Sequence, residues 1–121
     1  MTNPVNPEPE LQHRTPVGDL ELHAVEWHLS QRGQSSSLLM VHATGFHCRV
    51  WDQVIRRLPQ HHVVALDQRS HGRSTQVPIT NWAHLGEDLA GFVKARELGP
   101  MIGVGHCMGA HALVQAAARE P

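Results

Sequence analysis

The segment Gly105-His106-Cys107-Met108-Gly109 sets a thiol midway between two glycines, where an apolar run gives way to a helix-like one. Before it comes Met101-Ile102-Gly103-Val104, short, apolar and strand-like. After it comes Ala110 to Ala118, rich in alanine, the residue that most favours a helix. A strand, a tight Gly-x-nucleophile-x-Gly turn and a helix together make a nucleophile elbow. The glycines are required because a side chain at either flank of so sharp a turn would meet neighbouring backbone. The central residue then stands clear of the sheet above a helix amino terminus, whose partial positive charge favours negative charge developing there. Nucleophilic attack on a carbonyl carbon, giving an acyl-enzyme, is the chemistry such a residue can do. The competing reading makes Cys107 an inert small hydrophobe, as free cysteines often are.

Two further segments bear on the choice. Val41-His42-Ala43-Thr44-Gly45-Phe46-His47 follows the apolar run Ser37–Val41, with Trp51 nine positions after His42. Leu66-Asp67-Gln68-Arg69-Ser70-His71-Gly72-Arg73-Ser74 follows the next such run, His62–Leu66. With these three segments in this order, the chain from residue 17 to 121 resembles the α/β-hydrolase superfamily in its esterase-like branch. In that family a His-Gly segment after the third strand gives half of an oxyanion hole, an Asp-x-Arg-Gly-x-Gly-x-Ser loop follows the fourth strand, and the elbow follows the fifth. The resemblance implies that Cys107 is the nucleophile, with the backbone N–H groups of Thr44 and Met108 as the oxyanion hole. It gives Asp67 and Arg69 the task of bracing their loop, and His42 and His106 that of holding the loop and the turn, so that neither histidine is the base. Cys48 has no such context and reads as structural.

The chain departs from the family pattern at Ala43 and Ser70, where glycines are usual, and at Cys107, where serine is usual. Cysteine nucleophiles do occur in the superfamily, notably in dienelactone hydrolases; a thiolate attacks esters, lactones and thioesters readily and amides poorly. On this fold the acid and the histidine of a triad follow the nucleophile in the chain. No residue up to Pro121 matches either, so the resemblance implies an amino-terminal portion of the fold, inactive in turnover as it stands. The alternative is a catalytically dead hydrolase-like domain used for binding or assembly. A different rival, a dinucleotide-binding loop at Gly103-x-Gly105-x-x-x-Gly109, is disfavoured on two counts. Such a loop belongs to the first strand–helix unit, and the acidic residue expected about 20 positions on would fall beyond Pro121.

The elements that must position these residues follow from periodicity. Ser37–Val41 and His62–Leu66 are short continuous apolar runs, as expected of strands buried on both faces. Val17–Ser30 alternates well enough for a further strand, and residues 31–36 read as a turn. Trp51, Val54, Ile55 and Leu58 recur at helical spacing, and Pro59 stops that helix. Trp82, Leu85, Leu89, Phe92 and Val93 give the clearest helical stripe, with Thr80 or Asn81 as candidate cap and Gly99-Pro100 as terminator. Strands alternating with helices imply an α/β fold with a mostly parallel sheet and flanking helices. Residues 1–16, polar and with prolines at 4, 7, 9 and 16, read as a disordered leader, and residues 17–121 as one partial α/β-hydrolase domain.

Composition excludes several classes of partner. A formal charge of −1 gives no reason to expect nucleic acid or an anionic membrane. No apolar run approaches the ~20 residues that span a bilayer. Two cysteines make no disulfide framework, and a reducing cytoplasm suits them. The eleven histidines follow no metal-ligand spacing of known type, so neither a metal nor a cofactor is expected. The expected partner is a small ester-like molecule. The strand Met101–Val104, apolar and without a neighbour on one side, is expected to drive self-association.

Overall fold

The computed structural model describes residues 8–119. The two continuous apolar runs form β3 (Ser37–Val41) and β4 (Val63–Leu66), parallel neighbours near the middle of a five-stranded sheet. Both are buried throughout, because alternate residues enter two different apolar layers. Leu39, Val41, Val64 and Leu66 meet Leu85, Leu89 and Phe92 of α2 (Ala83–Ala95) and Met108 and Ala112 of α3 (Met108–Arg119). Leu38, Met40, Val63 and Ala65 pack on the other face, against Cys48 and Ile55. Those two come from a 3-10 turn, Cys48–Trp51, and the short helix α1 (Asp52–Ile55) that continues it. Burial of each large apolar side chain is worth roughly 1.5–3 kcal/mol, so a core on both faces commits these strands to the interior of the sheet.

β1 (Leu11–Val17) and β2 (Leu20–Trp27) form an antiparallel hairpin, β2 pairs antiparallel with β4, and β5 (Met101–Gly105) pairs parallel with β3. The strand order is β1-β2-β4-β3-β5. The sheet is therefore mixed: parallel in the β4-β3-β5 portion that leads to the turn at Cys107, antiparallel at the hairpin end. No helix of the described residues is long and apolar enough to cross a membrane.

The leader expected over residues 1–16 is corrected in its second half. Residues 1–7 lie outside the described residues, but Leu11–Val17 is a strand. Pro16 misled because proline interrupts a ladder; at the edge of a sheet its missing N–H costs little, and β1 is an edge strand. The helix expected around Trp51–Leu58 is shorter, with its last residues in turns. Trp82 does not join the buried stripe of α2: it precedes the first helical residue and is 58% exposed. Of the two candidate caps, Asn81 serves, its Oδ1 accepting the Ala83 N–H at 2.8 Å.

One buried carboxylate ties the hairpin to the rest. Glu26 of β2 is fully buried; its Oε1 accepts from His62 Nε2 at 2.8 Å, and its Oε2 accepts from His13 Nε2 at 2.8 Å and Arg96 Nη2 at 3.2 Å. Burial pushes the Glu26 carboxyl up, but the hydrogen bonds and positive potential of His13 and His62 outweigh it and hold the group well below the usual carboxylate range. The folded-state value is thus below the unfolded one, so this contribution is fully present above the ordinary glutamate value of 4.5 and is lost as pH falls below it. Glu26→Gln leaves His13, His62 and Arg96 without their anion, and we expect it to cost on the order of 3 kcal/mol. Denaturant unfolding at neutral pH measures that loss. Repeated at decreasing pH, it should show the parent losing stability between pH 4.5 and 3 more steeply than the variant; parallel curves would contradict this account.

Among the described residues β5 pairs on one side only, and Ile102 is 53% exposed. Beside it a groove of about 860 Å³, lined by Leu89, Val93, Met101, Leu113 and Ala117 among others, lies open between α2 and α3. An apolar edge without protecting charge invites pairing or non-specific burial. The 121-residue chain alone is expected to be oligomeric or poorly soluble and to bind hydrophobic dyes. Light scattering that finds a monodisperse monomer would refute this.

Candidate active site

β5 ends at Gly105 and α3 begins at Met108, which leaves two residues to reverse the chain. Cys107 makes the reversal with φ at 54°, a left-handed conformation that costs a non-glycine residue roughly 1–2 kcal/mol. The flanking glycines are held to close approach. A Cβ on Gly105 would lie 2.6 Å from the Ala110 Cα, and one on Gly109 would lie 2.1 Å from the Val41 carbonyl oxygen. The turn is stitched at both ends. His106 N–H donates to Val41 O at 3.1 Å, extending the β3–β5 ladder, and His111 N–H donates to Cys107 O at 3.1 Å as α3 begins. The result exposes the Cys107 side chain.

Thr44, in the loop after β3, is the other half of the expected site. Its Oγ1 donates to Met108 Sδ at 3.3 Å, so the two residues nominated for the oxyanion hole are in contact across the turn. Met108 is the first residue of α3, and the amides of a first helical turn have no acceptor within the helix. Three nominated residues, Thr44, Cys107 and Met108, therefore converge at the carboxyl ends of β3 and β5.

The bracing roles expected of the loop residues are visible as hydrogen bonds. His42 is buried; its Nδ1–H donates to Ala43 O at 2.8 Å and its Nε2 accepts the Gln68 N–H at 3.0 Å. Burial lowers the His42 pKa, which keeps that accepting nitrogen free of a proton. Asp67 takes the N–H groups of Cys48 at 2.6 Å and Arg73 at 3.0 Å. Arg69 grips Asp88 of α2 with two hydrogen bonds, at 2.7 and 2.9 Å.

His71 is a contributor that residue spacing did not single out. Its Nδ1–H donates to Arg69 O at 2.9 Å, and its Nε2 accepts the Gly45 N–H at 3.0 Å, fixing the residue next to Thr44. The signal available in sequence was only its place two residues after Arg69 in the acidic loop. No base accompanies the thiol: among the described residues, no side chain hydrogen-bonds to Cys107 Sγ. His111, one helical turn on, stacks edge-on to Trp82 and meets Gln115 at 2.9 Å. A Ser–His–Glu chain exists elsewhere, with Ser37 Oγ 2.7 Å from His62 Nδ1 and His62 Nε2 2.8 Å from Glu26. Ser37 is only 7% exposed and the other two less, so no substrate reaches it and its role is structural.

Comparison with known proteins agrees with this fold. The model of the "Alpha/beta hydrolase family" matches residues 38–120, more than half of the chain. The chain is 30% identical over 114 residues to 2-(acetamidomethylene)succinate hydrolase of Mesorhizobium japonicum, covering 92% of this chain and 39% of that enzyme. It is 30% identical over 100 residues to lipase LipV of Mycobacterium tuberculosis, covering 80% of this chain and 38% of the lipase. A solved structure of E-2-(acetamidomethylene)succinate hydrolase superposes with a TM-score of 0.79 at 28% identity, over 92% of this chain and 40% of that one. The chain thus spans less than half the length of each.

The two thiols differ sharply in setting. Cys107 is exposed at a helix amino terminus; Cys48 is buried, and burial followed by the charge of Asp67 pushes its thiol up, away from the reactive thiolate. Alkylation of the folded chain with a limiting reagent should label Cys107 at least tenfold faster, as read by peptide mass spectrometry. Preferential labelling of Cys48 would remove the case for Cys107 as nucleophile.

Proposed function

Because the chain belongs to the α/β hydrolase family, we propose that it carries the nucleophile of a hydrolase acting on an ester, lactone or thioester bond. The observation that carries this reading is the exposed, left-handed Cys107 at the head of α3, beside the Thr44–Met108 contact. In this mechanism Cys107 gives up its thiol proton to solvent, the sulfur attacks the substrate carbonyl carbon and the carbonyl electron pair moves onto oxygen. The Thr44 and Met108 amides receive that oxyanion; mutational losses of one such donor in other enzymes are worth about 3–4 kcal/mol. Collapse of the tetrahedral intermediate expels the alkoxide or thiolate and leaves an acyl group on Cys107. Release of that acyl group needs a base to activate water. The relatives that support an ester-type substrate are a succinate-derivative hydrolase and a lipase. The substrate on this reading is a small molecule, and a reducing compartment such as the cytoplasm keeps Cys107 a thiol.

In these relatives more than half of the length lies outside the matched region. The triad acid and histidine of the whole enzyme belong there in this proposal. The second reading is a hydrolase-like domain used for binding or assembly.

The two readings separate on an activated ester. The 121-residue chain should take up one acyl group per molecule, on Cys107, in a burst without turnover. Cys107→Ala should abolish the burst. Acylation that is absent, or that survives this substitution, would overturn the nucleophile assignment. Sustained turnover lost in Cys107→Ala would show that a base lies within this chain.

A further inference from the structure

Below the site, three side chains of different chemistry meet in the interior. His23 comes from the middle of β2, Cys48 opens the 3-10 turn after the Thr44 loop, and Asp67 follows β4. His23 Nδ1 lies 2.8 Å from Asp67 Oδ2 and 4.0 Å from Cys48 Sγ, and one donor atom of each residue lies within 4.8 Å of the others. All three are buried, with exposures of 6%, 1% and 1%. A tetrahedral site with bonds of about 2.0–2.3 Å sets its donor atoms roughly 3.3–3.6 Å apart, a value that the 2.8 and 4.0 Å separations bracket.

We propose that His23, Cys48 and Asp67 bind one divalent transition-metal cation of the zinc type. The donor set selects the class: imidazole with thiolate suits zinc or cobalt, whereas magnesium and calcium require oxygen ligands. The surrounding contacts are those that orient metal ligands. Asp67 Oδ1 accepts the Cys48 N–H at 2.6 Å and Oδ2 accepts the Arg73 N–H at 3.0 Å. On the far side of the imidazole, Nε2 faces Gln12 Oε1 at 3.3 Å, an oxygen that also accepts from Arg73 Nη1. That partner places a proton on Nε2 and turns Nδ1 toward the cluster.

Without metal, His23 Nδ1 lies 2.8 Å from Asp67 Oδ2, a hydrogen bond that the ion replaces. The entering dication forms bonds to the sulfur, to Nδ1 and to the carboxylate oxygen; the thiol proton and any proton shared between Nδ1 and Asp67 pass to water, and nothing is oxidised or reduced. The Cys48 thiolate and the Asp67 carboxylate together balance the two positive charges of the ion, which limits the cost of burying it. The bound metal cross-links β2, the root of the loop carrying Thr44 and the start of the loop carrying His71. It acts on stability and on the posture of those loops, not on substrate.

The test uses the chain with Cys107→Ser, which leaves Cys48 as the sole thiol. Titration with cobalt(II) is expected to give a thiolate-to-cobalt charge-transfer band that saturates at one equivalent. Zinc(II) should abolish this band and raise the thermal midpoint by several degrees. His23→Gln should weaken cobalt binding at least tenfold. No charge-transfer band at saturating cobalt, with the ligands intact, would overturn the proposal whether or not any variant folds. Cobalt bound as tightly by the His23→Gln chain, with an unchanged spectrum, would equally overturn it.

Discussion

At Gly109 the backbone of α3 passes so close to the end of β3 that a Cβ would sit 2.1 Å from the Val41 oxygen and 2.7 Å from that of His42. That approach sets the distance between two loops that share no sequence. It seats the first turn of α3 on the β3 terminus, and so brings Met108 within 3.3 Å of Thr44. A methyl group there would lift the helix away by more than the length of a hydrogen bond can absorb. The elbow and the loop after β3 are thus parts of one rigid contact.

Two buried carboxylates then divide the remaining work. Asp67 gathers backbone N–H groups from two loops together with His23, and burial, which opposes its ionisation, is outweighed by those donors, leaving its pKa lowered. Glu26 does the equivalent for the hairpin, taking His13 from β1, His62 at the entry to β4 and Arg96 at the end of α2. Neither carboxylate touches Cys107. The interior polar network and the exposed thiol are separate devices, and His71 is the link by which the braced loop reaches the residue beside Thr44.

What could be read in the sequence tracks how local the cause is. β3 and β4 declared themselves because strands buried on both faces need no alternation. The tight turn at Cys107 declared itself because glycine spacing reports backbone crowding within five residues. α2 followed from helical periodicity, although Trp82 fell outside its stripe by sitting one residue ahead of the helix, and α3 from its alanine-rich run. β1 was hidden because Pro16 is harmless only at an edge, and edges exist only once the sheet is assembled. The contacts of His71 with Gly45, and of His23 with Cys48 and Asp67, join positions 25 to 44 residues apart with no period between them. Only the crossing of β2, β3 and β4 makes them neighbours.

The left-handed backbone at Cys107 also limits which side chains the position can hold at all. Residues branched at Cβ are crowded out of that region, where a second substituent meets the adjoining peptide, whereas an unbranched Cβ is tolerated at modest cost. Cysteine, serine and aspartate all satisfy that rule; threonine, though it carries the same hydroxyl as serine, does not. The choice of residue at this position is therefore filtered by backbone geometry before any question of reactivity arises. An exchange of sulfur for oxygen at this point alters the chemistry while leaving the architecture of the turn untouched.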